Sequence, residues 1–163
     1  MNDLSSQVGA VLKTQGMMLA TAESCTGGGV AQAVTEISGS SSWFERGFVT
    51  YTNIAKVEML GVRQTTLDAH GAVSEATVRE MALGALAHSY AHISLSVSGV
   101  AGPTGGTPEK PVGTVWFAWA MRDGEVHARR YLLSGDRAAV REQSVRIALQ
   151  GVLELLKNYT KTA

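Results

Sequence analysis

Residues 19–29 read Leu19-Ala20-Thr21-Ala22-Glu23-Ser24-Cys25-Thr26-Gly27-Gly28-Gly29. The apolar run Met17-Met18-Leu19-Ala20 stops at Thr21. Polar groups follow at Glu23, Ser24 and Thr26, and apolar residues resume at helical spacing with Val30, Val34 and Ile37. Strand, polar turn and helix in that order form the repeating unit of an α/β fold. A helix start leaves backbone N–H groups without partners and carries a partial positive charge, and glycines let the backbone approach a ligand closely. The turn therefore suits a phosphate, a carboxylate or a developing oxyanion. It also sets two nucleophiles side by side, Ser24 and Cys25.

Two further junctions lie down the chain. Residues 47–52 are β-prone and run into Asn53-Ile54-Ala55-Lys56-Val57-Glu58-Met59-Leu60, whose apolar stripe is Ile54, Val57 and Leu60. Asn53 is read as its N-cap and Gly61 as its stop. Tyr51, Asn53 and Lys56 then cluster at one strand-to-helix junction, with Lys56 placed to point back toward the strand end. His92 to Ser98 alternates polar and apolar residues, a strand signal. It ends in Gly99-Val100-Ala101-Gly102-Pro103-Thr104-Gly105-Gly106-Thr107-Pro108, the largest loop of the chain.

The remaining elements frame these three. Leu4, Val8, Val11 and Leu12 predict a helix over 3–14 that Gly16 ends. Residues 62–73 read as irregular or partly helical. Ser74 caps a helix over 75–89. Strands over 113–121 and 126–133 are joined by an Asp123-Gly124 hairpin turn, and Trp116, Phe117 and Trp119 are expected to pack the sheet. Asp136 caps a last helix to about residue 158, with Arg137 and Arg141 one turn apart near its start. The expectation is a single domain over 1–163, three-layer α/β/α, with a mixed, mostly parallel sheet. Its binding sites would gather at the strand ends after Thr21, Tyr51 and Ser98.

Composition removes several classes of function. The chain has 163 residues, 45% hydrophobic and 17% charged, with a formal net charge of zero. A chain this long buries roughly 70% of its unfolded surface and needs no staples. Nucleic-acid binding would want a basic excess. One cysteine excludes an internal disulfide and fits a reducing compartment. The amino end, Met1-Asn2-Asp3-Leu4, lacks signal-peptide features, and no apolar run approaches the ~20 residues of a membrane span. A cytoplasmic protein with no membrane or nucleic-acid partner is expected.

Gly27-x-Gly29 would need a glycine at 32 for the dinucleotide fingerprint, and Gln32 stands there. The loop at 99–106 lacks the Gly-Lys-Ser/Thr of a P-loop. The histidines show no metal spacing, and a single cysteine argues against zinc. No metal or cofactor is expected. The acidic residues form no evident pair for glycoside chemistry, so nucleophilic catalysis remains best supported. A serine needs a base, and Lys56 stands at the neighbouring junction. A lysine acts as a base only when neutral, so its pKa must fall from ~10.4 toward neutrality, a shift that burial favours. The residues alone leave alternatives open. Lys56 fits a solvated helix lysine, Ser24 a helix cap and Cys25 a small buried hydrophobe. Tyr51 and Asn53 fit a strand residue and a cap, and the two arginines fit phosphate ligands or surface charges.

Several ordered motifs carry a family resemblance. They are Thr21-Ala22-Glu23-Ser24-Cys25-Thr26-Gly27-Gly28, then Gly47-Phe48-Val49-Thr50-Tyr51-Thr52-Asn53 with Lys56, and Gly71-Ala72-Val73-Ser74-Glu75. Ser98-Gly99-Val100-Ala101-Gly102-Pro103 with Gly105-Gly106 follows, then Pro111-Val112-Gly113-Thr114-Val115 and Gly135-Asp136-Arg137 with Arg141. Over nearly its whole length the chain resembles the CinA carboxy-terminal domain family. The resemblance implies hydrolysis of the carboxamide of nicotinamide mononucleotide to nicotinic acid mononucleotide and ammonia. It implies a serine nucleophile at Ser24 with a lysine partner at Lys56, and a homodimer. Tyr51 and Asn53 would orient the lysine or the ring, and backbone N–H groups near Thr26 and Gly27 would face the oxyanion. Ser98, Gly99, Gly102, Gly105, Gly106, Arg137 and Arg141 would hold ribose and phosphate, with Ser41 as a further phosphate contact. The competing reading is a non-catalytic nucleotide-binding or regulatory domain. A third is hydrolysis of another amide or ester by the same pair.

Overall fold

A computed structural model describes residues 1–162, with the backbone alone at 158 and 160–162. The elements are α1 Asn2–Gln15, β1 Leu19–Glu23, α2 Gly29–Thr35, a 3-10 turn Ser40–Ser42, β2 Phe44–Val49, α3 Asn53–Leu60, α4 Gln64–His70, α5 Glu75–Ala87, β3 Ile93–Gly99, β4 Thr114–Met121, β5 Val126–Leu132 and α6 Arg137–Thr162. The sheet order is β2-β1-β3-β4-β5. β1 runs parallel to both β2 and β3, while β4 is antiparallel to β3 and β5. Four strands therefore point one way and β4 opposes them. Helices α1, α2 and α6 cover one face, and α5, with α3 and α4 against it, covers the other. This is the expected α/β/α architecture.

The two faces of the sheet differ in side-chain size. Leu19, Ile93, Leu95, Val97, Val115, Phe117 and Trp119 pack toward α1, α2 and α6. The alternate positions are small: Ala20, Ala22, Ala118 and Ala120 lie under α5. Ser94 and Ser96, read from sequence as the polar side of an alternating strand, are fully buried on that same face. Their hydroxyls donate to the α5 carbonyls of Ala82 at 2.7 Å and Val78 at 2.6 Å. Alternation here marks large against small, not inside against outside, because both faces carry helices.

Some boundaries differ from the sequence reading. β1 continues past Thr21 to Glu23, although Thr21 and Glu23 are polar, and all five of its residues are buried. β2 spans Phe44–Val49 in place of 47–52, since its pairing stops where Val49 meets Glu23 at the end of β1. The cap of α3 is Thr52, whose hydroxyl accepts from the Ala55 N–H at 3.2 Å; Asn53 is the first helical residue. Residues 64–70, read as irregular or partly helical, form α4. Ser74 caps α5 as expected, accepting from the Thr77 N–H.

α5 also fixes α3. Gly84 lies against the end of α3, where a Cβ would overlap the Leu60 carbonyl oxygen. Leu60 lies one turn beyond Lys56, so this contact sets how far α3 sits from the sheet. Gly84→Ala is expected to destabilise the protein by about 1–3 kcal/mol through overpacking. A urea unfolding midpoint equal to the parent's would refute that account of the packing.

Candidate active site

Lys56 is among the largest fully buried side chains of the described residues, 1% exposed. It is the fourth residue of α3, and its ammonium lies between the ends of β1 and β2. Nζ donates to Ser24 Oγ at 3.0 Å and to the Thr50 carbonyl at 2.9 Å. No carboxylate among the described residues pairs with it, and burial pulls its pKa below the ordinary lysine range, with Cys25 opposing. The neutral amine retains a donor for Thr50 and offers its lone pair to the serine hydroxyl. That is the hydrogen-bond arrangement of a nucleophile and its base.

Ser24 follows β1 directly, and its N–H donates to the Val97 carbonyl at 3.0 Å, so the residue is anchored to β3 as well. Cys25 beside it is buried, and burial pushes its thiol up to about 11. Near neutrality that sulfur stays protonated and weakly nucleophilic.

The turn after Ser24 differs from the sequence expectation. The start of α2 is occupied by the protein's own carboxylate. Glu23, 1% exposed, accepts from the Val30 N–H at 2.8 Å, the Ala31 N–H at 3.0 Å and the Thr26 hydroxyl at 2.5 Å. An anionic side chain at a helix start offsets the helix dipole and leaves no room there for a substrate anion. The Gly27 N–H is also taken, donating to the Ser24 carbonyl at 3.0 Å. The N–H groups of Cys25 and Thr26 donate to no oxygen among the described residues. Glu23 was not singled out from sequence; a glutamate inside an apolar strand, one residue before the turn, was its signal.

A cleft of about 260 Å³ opens over the pair. Ser24, Cys25, Lys56, Tyr51 and Asn53 line it from two junctions, and Ser98, Gly99 and Ala101 from the third. Ala72 and Val73 close another side, within a motif of the resemblance that carried no assigned role. Arg137 completes the lining. Its guanidinium donates to the Gly102 carbonyl at 2.9 Å and to the Tyr51 hydroxyl at 2.8 Å, which ties the glycine loop to the β2–α3 junction.

Other expected residues lie elsewhere. Arg141 donates to the Cys25 carbonyl at 3.1 Å and lies 3.5 Å from that of Thr26. It borders a neighbouring cleft of about 620 Å³ with Pro103, Val112 and Asp136. Gly105 and Gly106 are exposed farther along the loop and do not line the Ser24 cleft. Ser41 sits in the 3-10 turn that precedes β2, at the end of the strands opposite Ser24, because β1 and β2 are parallel and Ser24 follows β1.

The CinA C-terminal domain profile matches residues 1–156. A protein of Escherichia coli (strain K12) named nicotinamide-nucleotide amidohydrolase PncC is 60% identical over 147 residues, covering 90% of this chain and 89% of its own. A protein of the same name from Enterobacter agglomerans is 55% identical and covers 97% of both chains. Among solved structures, the competence/damage inducible protein CihA from Agrobacterium tumefaciens superposes with a TM-score of 0.93 at 46% identity, covering 94% of each chain. A CinA superfamily protein from Klebsiella pneumoniae gives 0.93 at 42% identity, covering 96% of this chain and 98% of that one. Sequence, fold and the ordered motifs around Ser24, Lys56 and Arg137 agree: the chain belongs to the CinA C-terminal domain family.

Proposed function

We propose that this protein hydrolyses the carboxamide of nicotinamide mononucleotide, giving nicotinic acid mononucleotide and ammonia, with Ser24 as nucleophile and Lys56 as general base. The observation that carries the chemistry is the 3.0 Å contact between Lys56 Nζ and Ser24 Oγ, made by a lysine that is 1% exposed. The amidohydrolase name of relatives as much as 60% identical supports the substrate.

In the first half of the reaction, neutral Lys56 takes the Ser24 proton as Oγ bonds to the amide carbon, and the carbonyl electrons move to oxygen. Collapse of this tetrahedral species breaks the carbon–nitrogen bond. The nitrogen takes the proton from Lys56 and leaves as ammonia. Water then attacks the acyl-enzyme and gives a proton to Lys56. Collapse frees Ser24 Oγ, which takes that proton back. The Thr50 carbonyl keeps the amine oriented throughout.

The Cys25 and Thr26 N–H groups are the turn's oxyanion donors in this reading, a role worth roughly 3–4 kcal/mol for one donor in other enzymes. Tyr51, held by Arg137, and Asn53 orient the lysine or the ring. Ser98 and Gly99 bound the substrate at the β3 end, and the remaining N–H groups of Arg137 face the phosphate, with Gly102 fixing that arginine. Gly105, Gly106 and Ser41 contribute only if a second chain or a loop movement brings them to the cleft. We assign residues 1–163 to one domain. No helix among the described residues is long and apolar enough to cross a membrane, and we assign the protein to the cytoplasm on the sequence reading alone. Val49, Tyr51 and Ile54 expose apolar surface beside the cleft, which supports a homodimer; light scattering at twice the chain mass is the expected result.

Ammonia release from nicotinamide mononucleotide tests the reaction itself. Ser24→Ala and Lys56→Met are each expected to lose at least about 10³-fold in kcat, the scale seen when a member of a catalytic pair is removed. Cys25→Ala should keep most activity. Tight binding of the mononucleotide with no turnover by the parent would instead favour the non-catalytic reading, and good turnover of free nicotinamide would remove the phosphate role of Arg137.

The pH dependence has a definite sign. Lys56 works as a base when neutral, so kcat/KM should rise with pH through a single ionisation whose midpoint lies below the ~10.4 of free lysine. The same shift affects stability. The folded chain holds fewer protons on Lys56 than the unfolded chain between the lowered pKa and ~10.4, so stability rises with pH across that window. Below the lowered pKa the cost of burying the ammonium is fully present. Lys56→Met should therefore melt at a higher temperature than the parent at pH 7, with the gap narrowing toward pH 10. A gap that is constant or grows with pH would contradict a charged-form penalty.

A further inference from the structure

We propose that Arg141 is a positioning residue that holds the oxyanion-binding geometry of the Ser24 turn, and is not a ligand of the substrate phosphate. The inference rests on the reading of Ser24 as nucleophile. Its starting point is the turn itself. The Ser24 carbonyl accepts from the Gly27 N–H at 3.0 Å, closing a tight turn with Cys25 and Thr26 in the middle. A peptide unit is planar and trans, so its carbonyl and its N–H point in opposite directions. Holding the Ser24 carbonyl therefore aims the Cys25 N–H, and holding the Cys25 carbonyl aims the Thr26 N–H.

At the start of a helical turn the leading N–H groups have no intrahelical partner, and the N–H two residues past the capping residue points back toward its side chain. With Ser24 first, that is the Thr26 N–H, with the Cys25 N–H next to it. An oxyanion on a carbon bonded to Ser24 Oγ forms beside these two groups in this reading. Neither of them donates to an oxygen among the described residues.

The two carbonyls are held by different means. That of Ser24 is fixed from within the turn by Gly27. That of Cys25 is fixed from outside, by Arg141 Nε at 3.1 Å, reaching across from α6, with a second guanidinium nitrogen 3.5 Å from the Thr26 carbonyl. Gly27, at φ +61°, permits this approach; a Cβ there would stand 3.3 Å from the guanidinium. Glu23 secures the opposite side of the turn through Thr26, Val30 and Ala31. Arg141 turns its N–H groups onto backbone, whereas Arg137, one helical turn earlier, lines the Ser24 cleft and Arg141 does not. The two arginines thus divide their work.

Steady-state kinetics on nicotinamide mononucleotide, with melting curves, test this for Arg141→Met, Arg141→Lys, Arg137→Met and Ser24→Ala. Loss of one aimed donor predicts that Arg141→Met loses about 10²-fold in kcat while KM moves less than about threefold. Arg141→Lys, which keeps one donor for the carbonyls, should recover part of that kcat at the same KM. Arg137→Met should show the opposite pattern, a raised KM with kcat better kept. Near-parental kcat with a raised KM in Arg141→Met overturns the proposal in favour of phosphate binding. Unchanged kinetics also overturns it. If Arg141→Met does not fold, Arg141→Lys decides by the same split. Ser24→Ala that still turns over removes the nucleophile reading itself, an outcome distinct from any of the arginine patterns.

Discussion

One buried amine organises this protein. Among the described residues Lys56 has no carboxylate partner, and its side-chain nitrogen meets a hydroxyl and a carbonyl, at 3.0 and 2.9 Å. Burying a charge without an opposite charge is costly, and the group relieves the cost by giving up its proton. The burial that makes the residue expensive to fold is the same feature that lowers its pKa and suits it to the base role proposed above. Water is kept from it by the ends of β1 and β2 and by α3, so the packing of these elements sets the basicity of the site.

The sheet topology explains how such a site forms. In the order β2-β1-β3 all three strands are parallel, so their carboxyl ends lie side by side. Each end runs into a different polar segment: the Ser24 turn, the Tyr51–Lys56 junction and the Ser98 loop. Crevices outside the carboxyl ends of parallel strands are where α/β folds place ligands. The antiparallel pair β4–β5 contributes no residue to the cleft lining; its large side chains instead carry α6, which brings Arg137 and Arg141 to the same edge.

Packing on the far face supplies the precision. Alanines and serines under α5 let that helix lie close to the strands, and Gly84 lets α3 lie close to α5. The two serine hydroxyls satisfy α5 carbonyls, so the small-residue face costs no unpaired hydroxyl there. Through this stack the position of Lys56 is tied to the sheet that carries Ser24. The turn itself is held from three directions, by Val97 on the Ser24 N–H, by Glu23 on α2 and by Arg141 on the carbonyls.

The sequence by itself determined most of the elements and their order, α4 excepted, because apolar periodicity, Ser74 as a cap and glycines at 16 and 61 are local signals. It also brought Ser24 and Lys56 forward as a pair, since each stands at a strand-to-helix junction. Other assignments needed the tertiary structure. Whether Ser94 and Ser96 faced water depended on whether α5 covered them, which no local pattern states. Glu23 read as one more polar residue near a turn; only the fold brings its carboxylate onto the N–H groups that seemed free for a ligand. Arg137 and Arg141 are alike in sequence and one turn apart, yet one faces the cleft and the other the backbone behind it. Ser41 read as a phosphate contact until the parallel pairing of β1 and β2 put it at the other end of the sheet. A residue's type fixes what it can donate or accept, whereas its partner is fixed by chain segments distant in sequence.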